Sequence, residues 1–170
     1  VFEGPEDYHK RLNNKKLKID ENSILIIRGC GPVGYPGSAE VINMQPPDRL
    51  LKKGINTLPT LGDGRQSGTS ASPSILHVSP ESAVGGDLGI VKTGDKIKID
   101  LNKRRVDLLI SKSEFKNRRK KRKKFKINNQ TPWQEIFRDT VGQLEDGACI
   151  KSRGIYLKVS TSKGIPRDSH

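Results

Sequence analysis

The sequence predicts an α+β domain, a β-barrel-like mixed sheet flanked by a few helices. Three observations carry that expectation. Short β-branched runs end abruptly in glycine, as in "SILIIRG" at residues 23–29. In "KIKIDL", Ile97, Ile99 and Leu101 alternate with Lys96, Lys98 and Asp100, the period of a half-buried strand. One segment, "TPWQEIFRDTVGQLEDG", carries clear helix signals. Strands dominate, and the helices cover them rather than alternate strictly with them. At 170 residues the chain is long enough for one domain with a real core.

The first 22 residues read as polar and turn-rich. The 23–29 run reads as a buried strand that empties into the glycine–proline loop "GCGPVGYPGSAE". "QPPDRLLKKG" reads as a helix, with Pro46 and Pro47 in its first turn and Gly54 at its C-terminal end. "INTLPTL" is a second strand, ending at "LPTLGDGRQSGTSASPS". "SPESAVGG" allows one short helical segment, and "KIKIDL" and "VDLLIS" form a hairpin. Residues 114–126 are expected to be helical and exposed. In the best helix, Thr131 and Gln134 have capping-box spacing, Pro132 takes the first helical position and Gly147 closes it. Trp133, Ile136, Phe137, Val141 and Leu144 share a face and are expected in the core. "GIYLKVS", residues 154–160, is a last strand.

Charge and composition narrow the function classes. Seven of the net +13 charges form one unbroken run, Arg118, Arg119, Lys120, Lys121, Arg122, Lys123 and Lys124. Such a run binds nucleic acid or an anionic surface, or is a solvated helix face; the last is the leading reading, and it makes the run dispensable for folding. No aromatic residue interleaves with the seven to stack bases. No apolar run reaches the length of a membrane span and there is no signal-peptide pattern, so no membrane contact is expected, and two widely separated cysteines fit a reducing, cytoplasmic compartment. Cys30 and Cys149 lack CxxC or Cys/His spacing, which argues against a zinc site or a disulfide framework. The chain opens without methionine in "VFEGPEDYH", and a fragment or processed chain is expected.

Two glycine-rich loops follow predicted strands, and in a folded sheet both can meet at one rim. The first ends at Glu40; the second presents Asp63, Arg65, Ser67, Thr69 and further serines. Backbone N–H groups and Arg65 suit a carboxylate or phosphate, Glu40 or Asp63 a hard cation, and a serine a nucleophile or base. The plainer readings are a linker, a surface glutamate and a local Asp63–Arg65 ion pair. No Gly-Lys-Ser/Thr follows, so the loop is not a P-loop, and Ser67 does not sit in G-x-S-x-G. His9, His77 and His170 are widely separated and read as structural or exposed.

At these residues the chain resembles a known family. "RGCGPVGYPGSAEVINMQPP", "LGDGRQSGTSASPSIL", "SPESAVGGDLGIVKTGD", "TPWQE", "VGQLEDGA" and "PRDSH" resemble the C-terminal domain of the dihydroxy-acid and sugar-acid dehydratases, which include phosphogluconate dehydratase. The wording "GYPGSAEVINM … TPWQE … PRDSH" is most similar to the pentonate (arabinonate/xylonate-type) branch. The resemblance implies an iron–sulfur, magnesium-dependent hydro-lyase that converts a 2,3-dihydroxy or sugar acid to a 2-keto acid. It implies that Glu40 is a magnesium ligand, that Ser67 is the α-proton base acting as an alkoxide, and that Thr69 lies near the substrate, with Arg65 beside it. It implies a large N-terminal domain holding the cluster through three cysteines, a homo-oligomer at full length, and a swivelling C-terminal module that closes over the site. This chain departs from the pattern in having no cysteine cluster and in the uniformly basic run. The alternatives are an inactive ligand-binding module, a nucleic-acid-binding protein using the basic run, and a subunit that docks on a separate N-terminal domain.

Overall fold

The computed structural model describes residues 1–36, 43–65 and 72–151. The strand expected at 154–160 lies outside the described residues. Four short strands form one wholly parallel sheet in the order β1 (Phe2–Glu3), β2 (Leu25–Arg28), β3 (Thr60–Gly62), β4 (Ser74–Ile75). Leu25 pairs with Thr60, Ile26 with Leu61 and Ile27 with Gly62. A separate antiparallel hairpin joins β5 (Ile97–Asp100) to β6 (Arg105–Leu108). The domain is thus mixed α/β with two sheets, and no closed barrel exists among the described residues. The parallel arrangement has a simple cause. Each link between consecutive strands of the sheet is long enough to carry the chain back to its starting edge, which a tight hairpin cannot do.

The strand β2 is buried on both faces, as a central parallel strand should be. Leu25 and Ile27 face a cluster built from Phe2, Tyr8, Ile19, Cys30, Met44, Leu50 and Leu58. Ile26 faces the other way, with Leu61, Leu88 and Val91, against which Ile97 and Leu108 of the hairpin pack. The period of two along one strand therefore supplies both halves of the core.

The first 22 residues are more ordered than their polarity predicts. Helix α1 (Pro5–Arg11) begins with proline in its first turn, places Glu6 and Asp7 there, and ends on His9, Lys10 and Arg11. That charge order suits the helix dipole. Tyr8 anchors it: its ring meets Phe2 edge-on at 5.2 Å, and its hydroxyl donates to the Gln45 carbonyl at 3.0 Å.

The single-turn helix α2 (Asp48–Leu51) follows Pro47, which stands just before its first turn, and Gly54 reverses the chain at φ +81°. The strand β3 starts only at Thr60, later than expected. The short helical segment expected in "SPESAVGG" is the 3₁₀ turn Ser82–Val84, and a second 3₁₀ turn, Asp87–Ile90, follows it.

Two expectations fail at the C-terminal helices. Helix α3 (Lys112–Lys120) stops well before residue 126, and it is not merely solvated. The Arg118 guanidinium meets Asp95 at 2.6 and 3.0 Å and Glu114 at 2.7 Å, and its side chain is 12% exposed. Arg119 pairs with Asp87 at 2.7 Å. Helix α4 (Pro132–Thr140) is capped as predicted, with Thr131 Oγ1 accepting from the Gln134 N–H at 3.3 Å. Its apolar stripe is not core, however: Trp133 is 78% exposed and Ile136 52%. A polar contact, Arg138 Nε donating to the Val33 carbonyl at 2.8 Å, ties the helix to the first loop. Only Val141, just past the helix, is buried. Gly147 (φ +80°) closes the later 3₁₀ turn Leu144–Asp146, not α4. No helix among the described residues is long and apolar enough to cross a membrane.

Candidate functional site

Because β1–β4 are parallel, their carboxyl ends lie along one edge of the sheet. The loops that follow β2 and β3 therefore leave neighbouring strands at the same edge. In open parallel sheets this is where ligands bind. The described part of each loop is tied to the other by a buried carboxylate.

Asp63, the first residue after β3, is fully buried. Its Oδ1 accepts the Cys30 N–H at 2.9 Å. Its Oδ2 accepts the Gly29 N–H at 3.0 Å, the Ser82 N–H at 2.9 Å and the Ser82 hydroxyl at 2.5 Å. One side chain thus fastens the root of the first loop, the root of the second loop and the turn at residue 82. Glu81, also fully buried, does the same for the next stretch of the first loop. Its carboxylate accepts the Val33 and Gly34 N–H groups, both at 2.8 Å, and the Gln143 side-chain amide at 2.9 Å. The Glu81 N–H donates back to Gln143 Oε1 at 2.9 Å. These carboxylates are held by N–H dipoles rather than by a cation, an arrangement that satisfies a buried charge only when every lone pair finds a donor.

The glycines serve this packing. A Cβ on Gly31 would stand 2.5 Å from Glu81 Oε2, and one on Gly64 would stand 2.6 Å from the Cys30 carbonyl oxygen. The described glycines let the two loops approach each other and their buried carboxylates. Close approach to a ligand is not needed to account for them.

The structure corrects the readings of Asp63. It forms no ion pair with Arg65 among the described contacts, and its oxygens are filled by backbone and serine donors, so it is not a cation ligand. Arg65 is exposed at the end of the described part of the second loop. Glu40, Ser67 and Thr69 lie outside the described residues. Glu81 and Gln143 escaped sequence reasoning. Their signal is only a glutamate in "SPES" and a glutamine in "VGQLEDG", and neither pattern encodes burial.

An iron–sulfur cluster finds no home among the described residues. No group of three or more His, Cys, Asp or Glu side chains is placed to hold a metal. Burial, then the nearby Asp63 charge, pushes the Cys30 thiol well above its ordinary pKa, and its sulfur lies 3.6 Å from the Arg28 carbonyl. Cys149, the second cysteine, is half-buried.

The described fold is a small parallel sheet with two carboxylate-stapled loops leaving its carboxyl edge. The chain belongs to the dihydroxy-acid/6-phosphogluconate dehydratase C-terminal family, which matches residues 1–148. The D-xylonate dehydratase of Caulobacter vibrioides is 53% identical over 170 residues, covering 100% of this chain and 28% of that protein. The L-arabinonate dehydratase of Rhizobium leguminosarum bv. trifolii is 39% identical over 173 residues, 100% of this chain and 29% of the relative. A dihydroxy-acid dehydratase of Thermodesulfovibrio yellowstonii is 38% identical over 151 residues, 88% of this chain and 27% of the relative. The chain thus spans less than a third of the length of these relatives. The similarity to xylonate and arabinonate enzymes places it with the pentonate-type branch.

Proposed function

We propose that the chain is the C-terminal domain of a sugar-acid dehydratase and that its two rim loops complete the active site. The observation that supports this best is the pairing of β2 with β3 in parallel, which sends both loops off one edge, in a chain of this family. In this reading the substrate is a pentonate or a related 2,3-dihydroxy acid. Ser67 accepts the proton from the carbon next to the carboxylate. The hydroxyl on the adjacent carbon departs and takes up the proton that Ser67 received, leaving as water, and the resulting enol tautomerises to the 2-keto acid. Arg65 and Thr69 hold the substrate carboxylate and hydroxyls in place for that transfer. Glu40 would be among the ligands of magnesium, whose positive charge would stabilise negative charge developing on the substrate. The described residues do not fit an iron–sulfur cluster, so that group is assigned to the portion of the full-length protein outside this chain. The barrel-like, swivelling form, contact with an N-terminal domain, homo-oligomerisation and a cytoplasmic setting belong to the same proposal and rest on the resemblance.

The test is turnover of D-xylonate and L-arabinonate by the full-length protein, read as 2-keto acid formed. Ser67→Ala is expected to abolish turnover while leaving the melting temperature unchanged. Glu40→Gln is expected to weaken magnesium binding and turnover together. A Ser67→Ala protein with normal kcat would remove the base assignment. A full-length protein inactive on every sugar acid offered would favour the inactive ligand-binding module.

A further inference from the structure

Between the end of β2, the 89–92 segment and the basic run lies a cleft of 620 Å³. Eight basic side chains and two carboxylates line it. Both carboxylates already have partners, Glu3 in Arg28 and Glu114 in Arg118. Lys121, Lys123, Lys124 and Lys126 are exposed and form no ion pair among the described residues.

The segment that bears these lysines is anchored at both ends and in the middle. Arg118 forks onto Asp95 at its start. Arg122 donates to the Gly85 carbonyl. Phe125 lies flush on Gly29 (φ +74°), so that a Cβ there would stand 2.8 Å from the ring. These anchors hold the four lysines beside a concavity. Like charges closer than the Debye length, about 8 Å at physiological salt, repel one another, and a bound anion relieves that repulsion.

We infer that this cleft binds a small polyanion carrying a diphosphate group. Lysine ammonium groups are point-charge partners for phosphate oxygens. A multiply charged ligand fits better than a single carboxylate, because the excess of cations is large and local. A small ligand fits better than a nucleic-acid strand. The surface is concave, and Phe125, the aromatic ring lining it, is already used against Gly29. The inference stands on this geometry alone and does not depend on the dehydratase reading.

The test is calorimetric titration of the full-length protein with pyrophosphate and with ADP, without added divalent cation. Sulfate serves as a control, and a K121Q/K123Q/K124Q/K126Q variant runs in parallel. Saturable 1:1 binding is expected, at least about tenfold weaker in the variant and falling steeply as salt rises from about 50 to 200 mM. Equal affinities would mean that the diphosphate alone is recognised; tighter ADP binding would mean that the site also takes the nucleoside. The four lysines are exposed, so the variant should melt with the parent; if it does not, K123E alone replaces it. Three outcomes would overturn the inference: no saturable binding, equal binding by the variant, or a short single-stranded oligonucleotide displacing pyrophosphate with multi-site stoichiometry. The last would mark the run as a nucleic-acid face.

Discussion

Two carboxylates decide how the rim is built, and each makes a sharp prediction. In Asp63→Ala, the Cys30 and Ser82 N–H groups and the Ser82 hydroxyl lose their acceptor inside the domain, while the Gly29 N–H keeps the Ser82 hydroxyl oxygen. A buried donor left unmatched costs about 1–3 kcal/mol, so the loss should exceed about 4 kcal/mol in urea unfolding. If Asp63 were a magnesium ligand, the same change would instead show mainly as a lost response to magnesium. Glu81→Gln should cost less, about 2 kcal/mol, because one oxygen remains and only part of the Val33, Gly34 and Gln143 set is mismatched. Chemistry at the cysteines follows the same logic. Burial and the Asp63 charge keep the Cys30 thiol protonated, and only a thiolate alkylates. Iodoacetamide at mildly alkaline pH should therefore modify Cys149 well before Cys30, as read by peptide mass. Equal rates would mean that the Cys30 region opens readily.

At the scale of elements, the basic run divides into arginines that build and lysines that do not. Arg118 closes α3 onto Asp95, whose side chain is only 10% exposed. Burial alone would raise the Asp95 carboxyl, but the Arg118 and Lys92 donors outweigh it and hold it below its ordinary value of 3.8. The sign follows directly. Stability from a depressed carboxyl is fully present above the unfolded value and is lost as pH falls through the lower folded one. Removing Arg118 should therefore lower the melting temperature at neutral pH and flatten its decline below about pH 4. A combined Lys120, Lys121, Lys123 and Lys124 change to glutamine should do neither, since exposed positions without partners contribute little. A charge count could not separate the two groups, because Asp87 and Asp95 approach the run only through the fold. The same limit explains α4. Its cap and proline were legible from Thr131 to Gln134, being local chemistry. Its apolar stripe was legible as a stripe, but which side of Trp133 meets protein depends on the Arg138–Val33 contact 105 residues away in sequence. β2 was readable as a continuous apolar run, buried as such, and β5 by the alternation of Ile97 and Ile99 with lysines, but Leu101, expected on the same face, falls outside β5 and is exposed. The parallel sheet was not readable, since the pairing partners of β2 leave no mark within β2 itself.

At the scale of the molecule, the described residues supply only part of the donor set that the proposed reaction requires. On the proposed reading the rim offers Arg65, Glu40, Ser67 and Thr69, whereas the N–H groups of Gly29, Cys30, Val33 and Gly34 are taken by Asp63 and Glu81. The described residues offer no three-ligand group for a metal, and their buried carboxylates are saturated by hydrogen bonds. Relatives of this chain are more than three times its length. The exposed Trp133 and Ile136 add an apolar face that the domain does not cover itself. The division of labour proposed here assigns substrate-facing loops to this chain and cluster chemistry to the remainder of the full-length protein. It predicts that the purified 170-residue chain, reconstituted with iron, sulfide and magnesium, forms no 2-keto acid from D-xylonate and develops no iron–sulfur absorbance. The full-length protein treated in the same way should do both. The two readouts separate two kinds of failure. A full-length protein with cluster absorbance but no turnover would fault the substrate assignment. Turnover by the chain alone would fault the division itself, because two cysteines, of which Cys30 is fully buried, cannot supply three ligands to one cluster.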